Sequence, residues 1–346
     1  MSILFRTDAS PSIGSGHLTR CKALAKSLKK NNFNIYMLGP SKSYIEKSDQ
    51  NVFISWEEKI FQNEIEDFDY LFDFAKRKGI KIIILDDYRI KNIYQKRLSK
   101  SNFKVVQFES RYQFNIYADL IINSTLGAKI NKYKNLINKK SRLLMGPKYS
   151  SLREEFLFLD KVDRANKFIL KKRIYVNFGG GDDKGAIQKI LSFLTDTIYL
   201  EIIVVSSKEN PRNKDNLKVV NNLLHKLNIK YLISPDYISK IINSCDIAII
   251  AGGTSTFEVS FCGLPMIIIT IANNQVLHAD DWVSRGAAFH LSSFDNLKKK
   301  NLIQTLLQIF QKNIYTKMSK ACYEIVDGLG TERINKCITE LNLMDK

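Results

Sequence analysis

The stretch Arg6-Thr7-Asp8-Ala9-Ser10-Pro11-Ser12-Ile13-Gly14-Ser15-Gly16-His17-Leu18-Thr19-Arg20 decides the fold. An apolar run, residues 3–6, leads into it, and an amphipathic run, 17–29, leaves it. Two glycines between them allow a tight turn and a close backbone approach. A strand that passes through such a loop into a helix is the opening unit of a doubly wound α/β domain. Amides around Gly14, Ser15 and Gly16 then form a natural diphosphate cradle at the helix start. Asp8 and Arg20, toward the two ends of the loop, are counted with them as substrate-binding candidates.

Two nucleotide motifs compete for this loop, and both fail. The dinucleotide pattern G-x-G-x-x-G breaks because position 19 is threonine. The acidic residue expected after the second strand is also missing from Ile35-Tyr36-Met37-Leu38-Gly39-Pro40. No Gly-Lys-Ser/Thr follows, so a Walker loop is excluded as well. Neither NAD nor ATP is expected here.

Outward from the loop, short β-branched runs alternate with helical patterns. Strand candidates lie at 35–38, 80–85, 105–108 and 120–122, with helical patterns at 60–77 and 93–99. The rhythm restarts at 174–178, passes Gly179-Gly180-Gly181 and a helix at 186–194, and continues through strands at 202–205, 229–233, 247–251 and 266–271. Such runs mark parallel sheets covered on both faces. The charged segment 160–172 reads as a linker. The expected architecture is two doubly wound, Rossmann-like α/β domains facing across a cleft: residues 1–160 carry the catalytic loop and 161–346 bind the nucleotide. A last helix, 331–341, could pack on either one. Ligands of such sheets gather beyond the carboxyl ends of the strands.

His17 opens the first helix and is one of four histidines. An imidazole, with an unperturbed pKa of about 6.5, suits a general base at neutral pH; a polar residue that merely caps the helix is the bland alternative. His225 and His290 read as structural. His278 closely follows Asn274-Gln275 and is the other histidine within range of a ligand.

The second motif is Ala251-Gly252-Gly253-Thr254-Ser255-Thr256-Phe257-Glu258-Val259. A Gly-Gly turn before a Ser/Thr-rich helix start suits phosphate oxygens. Glu258, about one turn in, could accept from two ribose hydroxyls, or could belong to a capping box that serves only its own helix. Asn274 and Gln275 bring side-chain amides to the end of the next strand. Gly180 offers a further backbone contact, and Tyr88, after Asp86-Asp87, a surface for a sugar. Asp67-Phe68-Asp69 imitates a metal-binding DxD but lies mid-helix, where a solvated face is expected. No metal and no cofactor is called for.

Composition bounds the rest. Hydrophobic residues form 45% and charged residues 25% of 346, the balance of a folded soluble chain. No run approaches the ~20 apolar residues of a membrane span, and MSILFRTDAS places Arg6 and Asp8 where a signal peptide needs apolar residues. A cytoplasmic location is expected. The five cysteines show no CxxC pair and read as reduced thiols. The net charge of +18 is spread along the chain. Solvated surface is its first reading and peripheral contact with the inner membrane surface its second. No aromatic-interleaved basic segment supports nucleic acid as a partner.

With these motifs assembled, the chain resembles the UDP-2,4-diacetamido-2,4,6-trideoxy-β-L-altropyranose hydrolases of pseudaminic acid biosynthesis and their spore-coat polysaccharide relatives. The resemblance rests on Arg6-Thr7-Asp8-Ala9 through Gly14–Cys21, Met145-Gly146-Pro147, Leu152-Arg153-Glu154-Glu155-Phe156 and Phe178-Gly179-Gly180. It continues in Ala251–Glu258, Gly263-Leu264-Pro265, Asn274-Gln275 and Asp327-Gly328-Leu329-Gly330. It implies a glycosyltransferase-B-like fold, no metal, and water attack at the anomeric carbon of a UDP-linked sugar with inversion. It makes His17 the base, places Tyr88 and Asn274 at the sugar and Glu258 at the ribose. Two departures stand out. The family's usual Asp-His-Tyr is Asp86-Asp87-Tyr88 here, and Phe108-Glu109-Ser110-Arg111 replaces its usual Asp-Asp pair.

Overall fold

Successive residues of Ile82-Ile83-Ile84-Leu85 serve two different cores. Ile82 and Ile84 join Ile3, Phe5, Ile35 and Met37 on one face of a sheet. Ile83 and Leu85 join Leu4, Tyr36, Leu38 and the helix residues Phe68, Leu71 and Phe74 on the other. The two-residue side-chain period of a strand dictates this, and burial on both faces is why the sequence reads as unbroken Ile and Leu.

A computed structural model describes residues 1–166, 168, 171–195 and 200–343. The chain divides into two units. Unit 1 comprises Met1–Ala9, His17–Arg153 and Leu329–Lys346; unit 2 comprises Ser10–Gly16 and Glu154–Gly328. Unit 1 holds strands β1 (Ser2–Thr7), β2 (Asn34–Gly39), β3 (Phe53–Glu58), β4 (Ile82–Asp86), β5 (Lys104–Phe108), β6 (Leu120–Asn123) and β7 (Arg142–Met145). They form one sheet in the order 3-2-1-4-5-6-7, with every pair parallel. Unit 2 holds β8 (Arg173–Asn177), β9 (Glu201–Ser206), β10 (Asn228–Ile233), β11 (Ile247–Ile250), β12 (Met266–Thr270) and β13 (Ala288–Ser293). Their order is 10-9-8-11-12-13, again all parallel. Both are doubly wound Rossmann-like sheets, as the alternating pattern predicts. In each, the order reverses beside the first strand: between β1 and β4, and between β8 and β11. Those switch points are where such sheets leave a crevice for ligands.

The units do not follow a single cut at residue 160. Glu154 already lies in unit 2, and the helix Gly330–Leu343 returns to unit 1, where Ile334 and Ile338, one turn apart, are buried in the core beside Ile3 and Phe5. The linker reading of 160–172 lies partly outside the described residues, at 167, 169 and 170. Arg164, within it, is buried and donates to the carbonyls of Cys245 and Cys262 at 2.7 and 2.9 Å.

Asp67 is not on a solvated face. It is buried and receives Arg6 Nε at 2.9 Å and Arg6 Nη2 at 2.6 Å. Arg6 itself is fully enclosed in β1. A buried guanidinium needs a partner carboxylate, and that need turns Asp67 inward. Asp69 faces outward, to Arg97. The helix carrying both starts at Glu64, because Asn63 Oδ1 caps the amides of Ile65 and Glu66 at 3.0 Å.

Candidate functional site

At the switch point of unit 1, Thr7 closes β1 and Asp86 closes β4; the Thr7 hydroxyl donates to the Asp86 carbonyl at 2.9 Å. The Asp86 side chain is 1% exposed and gathers three groups from the helix Gly16–Lys30. His17 Nδ1 lies 2.5 Å from Asp86 Oδ1. Arg20 donates through Nε to Oδ2 at 2.5 Å and through Nη2 to Oδ1 at 2.6 Å. The Cys21 thiol points at Oδ2 from 3.6 Å. Positions 17, 20 and 21 share one helix face, which is why a single carboxylate meets all three.

Arg20 Nη2 also approaches His17 Nδ1 to 3.1 Å. This is no hydrogen bond between them. Both nitrogens donate to the same Oδ1, and that shared acceptor brings them together. Nδ1 therefore carries the proton, and in the neutral ring Nε2 keeps its lone pair. Burial alone would push the Asp86 carboxyl up, but Arg20 and His17 outweigh it and hold the pKa at about 2. The Cys21 thiol is driven well up by burial and by Asp86, so it stays protonated and inert.

Tyr88 stands edge-on to His17, with ring centroids 4.4 Å apart and an interplanar angle of 87°. Arg111 covers the Tyr88 ring at 4.3 Å and donates to the Tyr88 carbonyl at 2.9 Å. Glu109, buried, accepts from Arg111. The departure at 109–111 thus builds a brace behind Tyr88. The departure at 87 builds a charge chain: Asp87 accepts from Arg89 Nη2 at 2.7 Å and lies 3.2 Å from Arg6 Nη1, while Arg89 also pairs with Asp8. Asp8 Oδ1 in turn receives the Ala9 amide at 2.7 Å. Of the residues expected at a site, unit 1 brings together His17, Arg20 and Tyr88, while Asp8 pairs with Arg89. Asp86, which receives both His17 and Arg20, was not among the candidates; the signal was its place at the end of the strand next to β1.

Unit 2 gathers the remaining candidates. The 10–16 loop is closed by the Gly14 amide donating to the Ser10 carbonyl at 2.7 Å, and it lies on both glycine turns of the sheet. The Asp182 amide donates to the Pro11 carbonyl at 2.9 Å. A Cβ on Gly180 would stand 1.8 Å from Ser15 Oγ, and one on Gly16 would stand 2.9 Å from Thr254 Oγ1. Gly252 is packed from below, where a Cβ would meet the Gln275 carbonyl at 3.0 Å; at Gly253 a Cβ would meet nothing within 4 Å.

The second turn is internally fixed. The Gly253 amide donates to the Ala251 carbonyl at 2.9 Å, and the Thr256 hydroxyl to the Gly253 carbonyl at 2.7 Å. Trp282 Nε1, which can only donate, points at His278 Nε2 from 3.2 Å, so the His278 proton sits on Nδ1 and goes to the Gly252 carbonyl at 3.0 Å. His278 therefore braces the turn from within the unit. The helix Ser255–Phe261 starts at Thr254 without a side-chain cap. Glu258, 7% exposed, falls at its fourth position, one beyond the place a capping box uses. Gln275 Oε1 accepts the Ile271 amide at 3.0 Å, fixing the end of β12, and Asn274 beside it is exposed. Among the described residues, no group of three or more His, Cys, Asp and Glu side chains is arranged to hold a metal ion, and no helix is long and apolar enough to cross a membrane.

Residues 184–331 match the glycosyltransferase family 28 C-terminal domain. An uncharacterised protein of Methanocaldococcus jannaschii is 27% identical over 302 residues, 84% of this chain; the matched region spans 60% of that relative's length. The UDP-2,4-diacetamido-2,4,6-trideoxy-β-L-altropyranose hydrolase of Campylobacter jejuni is 26% identical over 260 residues, covering 75% of this chain and 87% of that protein. The spore coat polysaccharide biosynthesis protein SpsG of Bacillus subtilis is 23% identical over 338 residues, 95% of each. Among solved structures, S. aureus MnaA in complex with UDP superposes with a TM-score of 0.68 at 14% identity, covering 100% of this chain and 98% of that one; at that identity the likeness is one of fold. The chain thus has the glycosyltransferase-B fold, its residues 184–331 match the glycosyltransferase family 28 C-terminal domain, and its sequence is similar to the diacetamido-trideoxy-altropyranose hydrolase and spore-coat polysaccharide protein that its motifs resemble.

Proposed function

We infer that the chain is a nucleotide-sugar hydrolase that cleaves the anomeric C–O bond of a UDP-linked diacetamido-trideoxy sugar with inversion, releasing UDP and the free sugar for nonulosonic acid synthesis. The observation that carries this reading is the pairing of His17 Nδ1 with buried Asp86 at 2.5 Å. A carboxylate that fixes the imidazole with its proton on Nδ1 leaves Nε2 as the base. A water molecule attacks the anomeric carbon and its proton passes to His17 Nε2. The C–O bond breaks, and its electron pair stays on the β-phosphate oxygen of UDP. The imidazolium then returns its proton to solvent.

UDP is a good leaving group, so the two-carboxylate apparatus of ordinary glycosidases is dispensable. The departing diphosphate needs fixed donors instead. The backbone of the 14–16 loop and of the 252–256 turn would provide them, with Gly180 beside the loop. The open space at Gly253 admits a phosphate oxygen. Glu258 would take the ribose hydroxyls, Asn274 and Gln275 the sugar's acetamido groups, and Tyr88 the sugar face. Because His17 is peptide-bonded to Gly16, a diphosphate held at Gly16 stands one residue from the base. The similarity to the C. jejuni UDP-2,4-diacetamido-2,4,6-trideoxy-β-L-altropyranose hydrolase supports the substrate class.

Incubation with UDP-, CMP- and GDP-linked amino sugars tests the reading. UDP release without any added acceptor is expected; no nucleotide release from any of them would contradict it. The family 28 match at 184–331 favours a second reading, transfer of the sugar to a carbohydrate or lipid acceptor. Strict acceptor dependence of UDP release would select it.

A further inference from the structure

Arg20 stands where the sequence places a substrate ligand, yet its guanidinium is already engaged. Nε and Nη2 grip the two oxygens of Asp86 at 2.5 and 2.6 Å, and the plane lies over the Phe108 ring at 4.6 Å. The side chain is 19% exposed. A fork bound at both oxygens fixes the carboxylate plane and leaves one direction open on Oδ1, the one that His17 Nδ1 occupies.

We propose that Arg20 is a positioning residue that acts through Asp86: it orients the carboxylate that orients His17, and so keeps the neutral ring's proton on Nδ1. The other groups around this centre are few. Cys21 faces Asp86 and stays a thiol. Tyr88 and His17 meet at an interplanar angle of 87°, and Arg111 lies over the Tyr88 ring and is paired with Glu109. Arg89 pairs with both Asp8 and Asp87, and Arg6 also lies 3.2 Å from Asp87. Arg20 is thus the cation that Asp86 and His17 share directly. This inference rests on His17 being the base, but its first test does not need the substrate.

The test is the ring tautomer of His17, read by nitrogen-15 NMR of the full chain, with the resonances assigned by their loss in His17→Asn. The wild-type neutral ring is expected to carry its proton on Nδ1; Arg20→Gln, which breaks the fork on Asp86, is expected to give a mixture of the two tautomers, and Arg20→Lys, which keeps a charged donor to Asp86, to restore much of the wild-type pattern. With a cleaved UDP-sugar in hand, kcat in Arg20→Gln should fall about tenfold with KM within about twofold. An unchanged tautomer in Arg20→Gln would overturn the inference, as would a KM raised tenfold with kcat in place, which would make Arg20 a substrate ligand. If the tautomer change appears but no UDP-sugar is cleaved by the wild type, the hydrolase reading fails and the Arg20 inference stands.

Discussion

His17 Nδ1 and Asp86 Oδ1, 2.5 Å apart, join the first turn of a helix to the last residue of a strand across the point where the sheet reverses its order. Neither element could fix the ring alone, since a residue in the first turn of a helix keeps rotamer freedom unless something beyond the helix holds it.

His17→Asn should reduce turnover at least about 10²-fold, the usual contribution of a positioned base. UDP affinity should stay within about threefold, since the diphosphate donors lie elsewhere. Calorimetry with UDP beside a UDP-release assay reads both, and undiminished turnover would remove His17 from the mechanism.

Asp86→Asn should cost about as much in turnover through a different route. An amide in place of the carboxylate can offer its NH₂ to Nδ1 and move the ring proton to Nε2, where no lone pair remains for water. It also leaves the Arg20 charge without its partner, so a folding penalty of about 3 kcal/mol is expected by urea unfolding. Full activity in the folded variant would show that Asp86 is only a strut.

Acid should reveal the same carboxylate. Its pKa in the folded protein is about 2, below the usual carboxylate value of 3.8. A group whose folded pKa is depressed contributes stability that is present above the unfolded pKa and lost as pH falls through the folded one. Asp86 should therefore contribute on the order of 2 kcal/mol above about pH 4 and lose it toward pH 2. Unfolding free energy measured across that window should fall more steeply in the wild type than in Asp86→Asn, and equal slopes would contradict the assignment.

Gly253→Ala separates ligand space from packing space. The added methyl meets no protein atom within 4 Å, and the backbone there is not left-handed, so the fold should tolerate it. If a phosphate oxygen occupies that space, UDP affinity should drop at least about tenfold at unchanged thermal stability. Unchanged affinity would move the diphosphate away from this turn.

Much of this was legible in the sequence because it is made of local pattern. Residues 82–85 are apolar on both faces, and the glycine loops break the pattern where strands end, so the doubly wound sheets follow. β3 and β7 escape the local pattern: Phe53–Glu58 ends in two glutamates, is only partly buried and lies at a sheet edge, and Arg142–Met145 is only four residues long at the other edge. The return of Ile334 and Ile338 to the first core depends on long-range packing that no local period encodes.

The site was legible in its residue types and not in its pairings. His17 and Arg20 stand out beside the glycines, but their joint partner lies some seventy residues away, and strand order alone brings Asp86 to them. Asp67 was misread for the same reason. A helix period shows which residues share a face, but not that a buried arginine on a distant strand waits beneath one of them.

The bond that water breaks separates glycosyl cleavage from attack at phosphorus. Hydrolysis of the UDP-sugar in oxygen-18 water, with mass spectrometry of both products, reads it directly. Attack at the anomeric carbon with His17 as base puts the label in the free sugar and leaves UDP unlabelled. Label in UDP would mean attack at phosphorus, and the assignment of His17, Asp86 and the two glycine turns to glycosyl cleavage would be contradicted.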